Sequence, residues 1–265
     1  IKKKNIHDKI ISSIERLHNI ISLFKYFSIS ARDILNKLGN IFDILIKQSD
    51  FNSELQELEY FHEKFNGVRR IRVPKPYVEY CNENIIVMEY LKGIELKELD
   101  KTNREVLAKE LWNFAFESSF INGHWHSDLH KGNLVFLDGS IGIIDFGITG
   151  KFTHIEKTII LNYTSAILNK NFINAARIYV TRMTNFAKVN EDKIQRTLFI
   201  NAISDILKEY YSNTHTIPNV LGSVRKMSIV SKKYGCHFND RFVEFELAFA
   251  TLLNVLSELS DKTIF

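Results

Sequence analysis

Hydrophobic residues recur at helical spacing near the start of the chain. Over residues 8–26 an apolar side chain returns every three or four positions, which predicts an amphipathic helix. These positions are Ile10, Ile14, Leu17, Ile21 and Phe24. A second helix is predicted from about Ala31 to Lys47, with Ser30 placed to cap it. A third begins near Ser53 and carries the acid-rich segment ELQELEYFHE.

The segment VPKPYVEYCNENIIVMEYLKG, residues 73–93, departs from that pattern. Its two prolines are incompatible with a helix interior. The run Asn82-Glu83-Asn84 is typical of a turn, and IIVM is typical of a buried strand. The sequence therefore predicts a small hairpin that ends at Gly93.

A helix and a pair of strands are predicted next. Thr102 and Glu105 have the spacing of a capping box, which indicates a helix start. The inward positions of this helix are Leu107, Leu111 and Phe114. Residues 134–145 predict strand, turn and strand, with the turn at Asp138-Gly139.

Everything after about Thr153 has helical periodicity. Two predicted inward faces are Phe199, Ile203, Leu207 and Tyr211, and Phe245, Phe249, Leu252 and Leu256. The pattern predicts an α+β fold with two lobes. The first lobe, residues 1–92, is small and mixed, and the second, residues 93–265, is large and mostly helical.

The composition excludes some classes of protein but does not indicate a function. The chain is 45% hydrophobic and 25% charged with a net charge of +4, so a nucleic-acid partner is not expected. Cys81 and Cys236 are isolated, which indicates a reducing compartment. No apolar run approaches about 18 residues and no signal peptide is present, so we expect a soluble intracellular protein. Because the chain begins with Ile, we expect the natural protein to extend N-terminally.

The chemistry concentrates in HSDLHKGN, residues 126–133, and in the DFG that starts at Asp145. Phosphoryl transfer from ATP needs a carboxylate beside the attacking oxygen, and Asp128 fits that role. It also needs hard oxygen ligands for Mg²⁺, which Asn133 and Asp145 supply. The spacing from Asp128 to Asn133 matches the kinase catalytic loop. A lone DFG means nothing, but the joint pattern arises by chance with a probability of roughly 10⁻⁵ to 10⁻⁴.

Two histidines in this loop have alternative interpretations. His126 either takes part in proton transfer or is structural and hydrogen-bonds the backbone to hold the loop. His130, between Asp128 and Asn133, either faces phosphate or packs the loop. Phe146 is expected to be a packing residue under the metal-binding loop.

The segment GHWHSDLHKGNLVFLDGSIGIIDFGITGKF resembles the core of the UbiB/ADCK-type (ABC1) atypical kinases, in which H-A-D-P-H-P-G-N precedes I-D-F-G. ELEYFHEKF (57–65) resembles the family's E-L-D-Y-x-x-E-A helix, and residues 73–96 resemble its strand and hinge. The resemblance implies a protein-kinase-like fold that binds ATP with Mg²⁺. It also implies kinase or ATPase activity on an unknown phosphate acceptor and a link to isoprenoid quinone (ubiquinone) biosynthesis.

The resemblance also implies roles for single residues. Asp128 resembles the catalytic-loop aspartate, and Asn133 and Asp145 resemble the metal ligands. Glu57 matches the helix glutamate that pairs with the nucleotide-binding lysine, although Glu54, one turn earlier, is an alternative. That lysine falls before residue 1 in the alignment, so the small lobe is expected to be truncated at its start. Within the chain only Lys2 could replace it.

The hinge and loop carry further implied contacts. Met88 occupies the position that borders the adenine pocket, or it is plain core. Glu89 to Leu91 would offer backbone groups to the base. Lys131 replaces a family proline and either contacts phosphate or is a solvated charge.

Two other functions fit parts of the pattern. Aminoglycoside and choline kinases also carry H-x-D-L-H-x-G-N, and Leu129 matches them better than the ABC1 proline does. A pseudokinase scaffold that binds nucleotide would account for the missing lysine. The helical C-terminal region could also present an apolar face to a membrane or lipid.

Overall fold

The computed structural model describes residues 50–186, 192–213 and 219–260. The helices predicted over residues 8–26 and 31–47, together with Lys2, lie outside these ranges. By its internal contacts the chain divides into two compact units. The first contains residues 1–93 and 142–148, and the second contains residues 94–141 and 149–265.

The described part of the first unit begins with helix α1, Phe51–Phe65, which confirms the helix predicted near Ser53. The Asp50 side chain caps it by accepting from the N–H groups of Asn52 and Ser53. The helix buries Leu58, Phe61 and Phe65. Strand β1, Ile71–Arg72, and a 3₁₀ turn, Val78–Tyr80, follow.

The hairpin after β1 is only partly as predicted. The turn at Asn82-Glu83-Asn84 is confirmed, because Asn82 and Ile85 exchange backbone hydrogen bonds of 2.9 and 3.1 Å. The prediction of a buried IIVM strand is wrong: these residues are half-buried, and within the described ranges they pair through the isolated bridges Pro76–Met88 and Asn82–Ile85 instead of a continuous ladder. The reason is that prolines in the facing segment have no N–H to extend the ladder.

Helix α2, Lys101–Phe116, opens the α-helical part of the second unit, and its predicted inward residues are buried. The predicted capping box at Thr102 and Glu105 is wrong. The helix begins earlier, so the Asp100 carboxylate accepts from the N–H of Asn103 at 2.8 Å and Thr102 lies inside the first turn. A π-helical turn, Glu117–Ile121, follows directly.

Four further strands carry the chain through the motif region. They are β2 (His124–His126), β3 (Leu134–Leu137), β4 (Ser140–Ile143) and β5 (Thr149–Lys151). The strand, turn and strand predicted over residues 134–145 are confirmed as β3 and β4. The three-stranded sheet has the order β1-β4-β3, and β2 pairs antiparallel with β5.

The pairing of β2 with β5 sets Trp125 opposite Gly150. Trp125 is 2% exposed and packs on Phe152 and Phe245 with ring centroids 4.2 and 5.5 Å away. A Cβ at Gly150 would overlap the indole ring. Glycine is therefore required at position 150 by a side chain, not by backbone conformation.

Five helices complete the second unit within the described ranges. They are α3 (His154–Leu168), α4 (Phe172–Ile178), α5 (Lys193–Tyr211), α6 (Val220–Lys233) and α7 (Asp240–Leu259), with a π-helical turn, Tyr179–Met183, after α4. Each begins at a side-chain N-cap, namely Thr153, Asn171, Asp192, Asn219 and Asn239. The two predicted inward faces are confirmed, with Tyr211 and Phe249 half-buried and the other members buried. The described helices include none long and apolar enough to cross a bilayer.

Helix α7 buries one acid in this core. Glu246 is 7% exposed, and burial raises the pKa of its carboxyl to about 8, an effect that the Tyr163 hydroxyl opposes. The unfolded chain loses this proton near the ordinary pKa of 4.5, whereas the folded chain keeps it up to about pH 8. The folded state therefore binds the extra proton, and this residue's contribution to stability falls as pH rises through that window.

We accordingly expect Glu246→Gln to become progressively more stable relative to wild type between pH 5 and pH 8. Denaturant unfolding at a series of pH values measures this difference. The matched control is Glu244→Gln, the same substitution at an exposed position on the same helix, where no buried carboxyl is removed. A pH-independent difference for Glu246→Gln would contradict the burial argument.

Candidate functional site

Two side chains of the loop 126–133 hydrogen-bond the backbone of Asp128, one at its N–H and one at its carbonyl. The buried His126 ring accepts a hydrogen bond from the Asp128 N–H, with Nδ1 3.1 Å from that nitrogen. The Asn133 side chain donates from Nδ2 to the Asp128 carbonyl at 2.9 Å. The Asp128 side chain itself remains 32% exposed. A fixed main chain with an accessible carboxylate is the arrangement that a positioned catalytic base requires.

His130 acts on the same aspartate from the solvent side. Its Nε2 lies 3.5 Å from the Asp128 carboxylate, and its Nδ1 accepts from the N–H of Gly132 at 3.0 Å. A Cβ at Gly132 would lie 2.9 Å from the imidazole Cε1, so a larger residue there would displace the ring. The contacts place His130 beside Asp128, while His126 contacts the Asp128 backbone and so fits the structural alternative.

Asn133 is buried at the end of the 3₁₀ turn Lys131–Asn133. Because its Nδ2 donates to Asp128, its side-chain oxygen is the atom left to bind a cation. Lys131 is turned toward α7, with Nζ 3.1 Å from the Glu258 carboxylate. An exposed ion pair of this kind contributes little stability, so it would not hold Lys131 away from a phosphate group.

The DFG loop belongs to the first unit and is anchored on α1. Phe146 is 1% exposed and stacks on Phe61 with ring centroids 4.8 Å apart, which confirms it as a packing residue. Asp145 is exposed, and its Oδ1 accepts from the N–H of Gly147 at 2.9 Å. The packed ring fixes the loop and leaves the neighbouring carboxylate accessible.

Two carboxylates approach the same side of this loop. A Cβ at Gly147 would lie 3.3 Å from Asp145 Oδ1 and 3.7 Å from Glu54 Oε2. Burial, and then the negative charge of Asp145, raise the pKa of Glu54 to about 7. Paired oxygen ligands that repel each other fit a divalent cation such as Mg²⁺, since the cation would relieve that repulsion.

The resemblance matches Glu57 to the glutamate of this helix, but the structure places Glu57 and Glu54 in different surroundings. Glu57 is half-buried, and its charge raises the pKa of Tyr60 after the larger effect of burial. Glu54 is the α1 acid beside the DFG loop. The helical register in the sequence indicates this position for Glu54. Glu54 precedes Leu58 by four residues and Phe61 by seven, so it shares their inward face.

The hinge residues are held by an ion pair that the sequence did not suggest. Glu89 binds Arg72 across 3.1 Å and accepts from the Lys75 N–H at 3.2 Å, while its own N–H donates to the Lys75 carbonyl at 2.8 Å. The backbone of Glu89 to Leu91 is the part of the hinge to which the resemblance assigns contacts with a base, and that assignment stays a prediction. Met88, the predicted adenine neighbour, is half-buried.

Metal binding stays a prediction. Within the described ranges there is no group of three or more His, Cys, Asp or Glu side chains that could hold a metal ion. The predicted ligands Asn133 and Asp145 do not make up such a group, because asparagine is not one of these four residue types.

Comparison with known proteins tests the resemblance to the ABC1 family. The ABC1 atypical kinase-like domain matches residues 1–179, which is more than half of the chain. The chain belongs to the ABC1 atypical kinase-like family. This confirms the resemblance to UbiB-type proteins that the sequence motifs indicated.

Relatives of this ABC1 chain are longer proteins. It is 30% identical over 209 residues to an "Uncharacterized protein in hydrogenase 1 5'region" of Clostridium pasteurianum, which covers 75% of this chain and 38% of that protein. It is 24% identical over 204 residues to the "Probable protein kinase UbiB" of Glaesserella parasuis, covering 70% of this chain and 36% of that protein. The ABC1 chain thus spans less than two fifths of the length of either relative.

A solved structure shares the fold. The Rv3197 protein of Mycobacterium tuberculosis, determined in complex with erythromycin, matches 98% of the ABC1 chain and 66% of its own with a TM-score of 0.65. The sequence identity is 14%, so this likeness concerns the fold alone. The α+β class, mostly helical with small sheets, is confirmed.

Proposed function

We propose that this ABC1 domain binds ATP with Mg²⁺ and acts as an atypical kinase or ATPase. The observation that carries the proposal is the double restraint on Asp128, whose N–H and carbonyl are both hydrogen-bonded while its carboxylate stays accessible. A carboxylate held in this way can orient an attacking hydroxyl or water and accept its proton. Positioning of this kind is most of what phosphoryl transfer asks of a protein.

Other residues would bind the metal ion and the nucleotide base. Asn133 and Asp145 are the residues that resemble the family's metal ligands. Within the first unit, the Asp145 carboxylate would bind Mg²⁺, with Glu54 near enough to share the charge of the ion. When bound, the metal neutralises charge on the phosphate oxygens. The Glu89 carbonyl and the Leu91 backbone would contact the base.

The proposal also includes the pathway that the domain serves and its phosphate acceptor. Relatives in Glaesserella parasuis and Photorhabdus laumondii carry the name "Probable protein kinase UbiB". On that basis we infer that the domain serves isoprenoid quinone biosynthesis. The phosphate acceptor would be a molecule of that pathway, or water if the domain is an ATPase.

Binding is tested by thermal unfolding with and without Mg-ATP. At about a hundred times the dissociation constant, a ligand that binds only the native state adds about 2.7 kcal/mol of stability. For a chain of this size that is a rise in Tm of about 5 °C or more. We expect this rise for wild type, its loss when EDTA removes the metal, and a reduced rise for Asp145→Asn.

The matched control is Asp138→Asn, the same substitution at an exposed turn between β3 and β4. This variant should keep the full shift. Absence of any nucleotide-dependent shift in wild type would reject the proposal, and an undiminished shift in Asp145→Asn would reject the role given to that carboxylate.

A further inference from the structure

A polar cleft of about 540 Å³ lies in the second unit, at the start of helix α7. Its walls come from α3, from the π-helical turn Tyr179–Met183 and the two residues after it, and from the segment that leads into α7. It shares no residue with the loop 126–133 or with the DFG loop. It is therefore a site apart from the proposed phosphoryl-transfer chemistry.

Two short segments, one at the end of the π-helical turn and one just before α7, form a hydrogen-bonded frame for this cleft. The N–H of Asn239 donates to the Met183 carbonyl at 2.9 Å, and the N–H of Asn185 donates to the His237 carbonyl at 3.2 Å. The Asn185 side-chain oxygen accepts in turn from the His237 N–H at 2.9 Å. These bonds shape the cleft before a ligand arrives, which lowers the entropy that binding would cost.

Arg241 is held on the α3 side of the cleft. Its Nη1 donates to the Lys151 carbonyl at 2.7 Å, and its Nε lies 3.6 Å from Glu156 Oε1. The other Glu156 oxygen accepts from the Thr153 N–H and from the Thr153 hydroxyl, both at 2.8 Å. This arginine and this glutamate are therefore already engaged, and their charges offset each other.

Three further charged side chains line the same cleft. Arg182 lies in the π-helical turn, while Asp240 and Glu244 lie one turn apart on α7 and so share one side of that helix. All three are exposed, and within the described part of the chain their side chains make no hydrogen bond or ion pair. The cleft thus offers a ligand one positive and two negative groups.

We propose that this cleft binds a free diamino acid such as lysine, with its carboxylate against Arg182 and its two ammonium groups toward Asp240 and Glu244. One positive and two negative charges on the walls complement one negative and two positive charges on the ligand. The arginine guanidinium suits a carboxylate in particular, because it can donate two parallel N–H bonds to it.

Size and charge together exclude simpler ligands. A volume of 540 Å³ corresponds to about eighteen water molecules at about 30 Å³ each, so a molecule of about ten non-hydrogen atoms enters together with bridging water. A dicarboxylate would meet the like charges of Asp240 and Glu244. A simple alkylamine would leave the Arg182 guanidinium without a partner.

The test titrates four probes into the whole chain, with ligand-observed NMR as the readout. L-lysine carries all three charged groups, cadaverine lacks the carboxylate, L-norleucine lacks the side-chain ammonium, and Nα-acetyl-L-lysine lacks the α-ammonium. We expect L-lysine to bind about fivefold more tightly than each of the others, because each of them loses one exposed charged contact. Nα-acetyl-L-lysine also imitates the C-terminal lysine of a peptide, so equal binding of that probe would reject a free diamino acid.

Two variants assign the contacts. Arg182→Gln should weaken L-lysine about fivefold and leave cadaverine within about twofold, since cadaverine has no carboxylate. Glu244→Gln should weaken both probes about fivefold, since both present ammonium groups. The matched controls are Arg225→Gln and Glu209→Gln, exposed positions outside the cleft, which should bind every probe as wild type does.

Three results would each overturn the proposal. They are no binding of L-lysine by wild type, equal binding of L-lysine and cadaverine, and an equal effect of Arg182→Gln on both of these probes. The comparison of probes on the wild-type chain decides the matter even if a variant folds poorly. None of these results depends on ATP, so a failure here is distinct from a failure of the proposed kinase or ATPase activity.

Discussion

Asp128→Asn is expected to lower the rate of ATP turnover by about a thousandfold while Mg-ATP affinity stays within about threefold of wild type. General-base catalysis contributes about 10²- to 10⁴-fold, and an amide cannot accept the proton. Affinity should survive, because Asn keeps the size of Asp. The hydrogen bonds to His126 and from Asn133 also involve only the backbone of residue 128, so the substitution leaves them in place. Phosphate release at saturating Mg-ATP measures turnover, and the thermal shift measures affinity.

Asp138→Asn again serves as the matched control and should turn over ATP as wild type does. An equal loss of turnover and affinity in Asp128→Asn would contradict the role assigned to Asp128, since it would make this residue part of nucleotide binding. Wild-type binding without any turnover would favour a nucleotide-binding scaffold over a kinase or ATPase.

Gly150→Ala is expected to destabilise the chain by about 3 kcal/mol or more. The added methyl group would enter the space filled by the Trp125 ring, and overpacking of a rigid core costs about 1–3 kcal/mol and sometimes more. The indole has little room to move, because Phe152 and Phe245 pack against it. Denaturant unfolding measures the loss.

Two comparisons make this result specific. Gly67 has a positive φ of 76°, and an added Cβ would meet no neighbour within 4 Å. Gly67→Ala should therefore lose only about 1–2 kcal/mol of stability, from backbone strain. Trp125→Phe should partly rescue Gly150→Ala, because the smaller ring leaves room for the methyl group. A Gly150→Ala chain as stable as wild type would show that the contact between β2 and β5 is not tight.

The sequence was most informative where short stretches of chain decide the outcome. Asp128 and Asn133 lie five residues apart in one loop, so their interaction needs no distant contact. Helix α1 and the β3–β4 pair follow from local periodicity and turn residues. Phe146 could be assigned as packing because it is a large apolar side chain directly after Asp145, the polar functional residue of the loop.

Helix starts and side-chain orientations were harder to predict. Asp100 and Thr102 are both acceptable N-caps by residue type, and the structure shows the helix capped by Asp100. The IIVM run has strand composition, but a ladder also needs donors on the facing segment, and prolines stand there. In both cases the outcome depends on another part of the chain, which residue type at one position does not specify.

By itself the sequence determined the family, the α+β class, and the loop that restrains Asp128. Tertiary structure decided between Glu54 and Glu57 as the acid beside Asp145, and it alone decided that Gly150 faces the Trp125 ring and that Glu246 is buried among aromatic side chains. The physical reason is distance along the chain. Local hydrogen bonds and periodicity are encoded in neighbouring residues, whereas burial and pKa depend on side chains that only folding brings together.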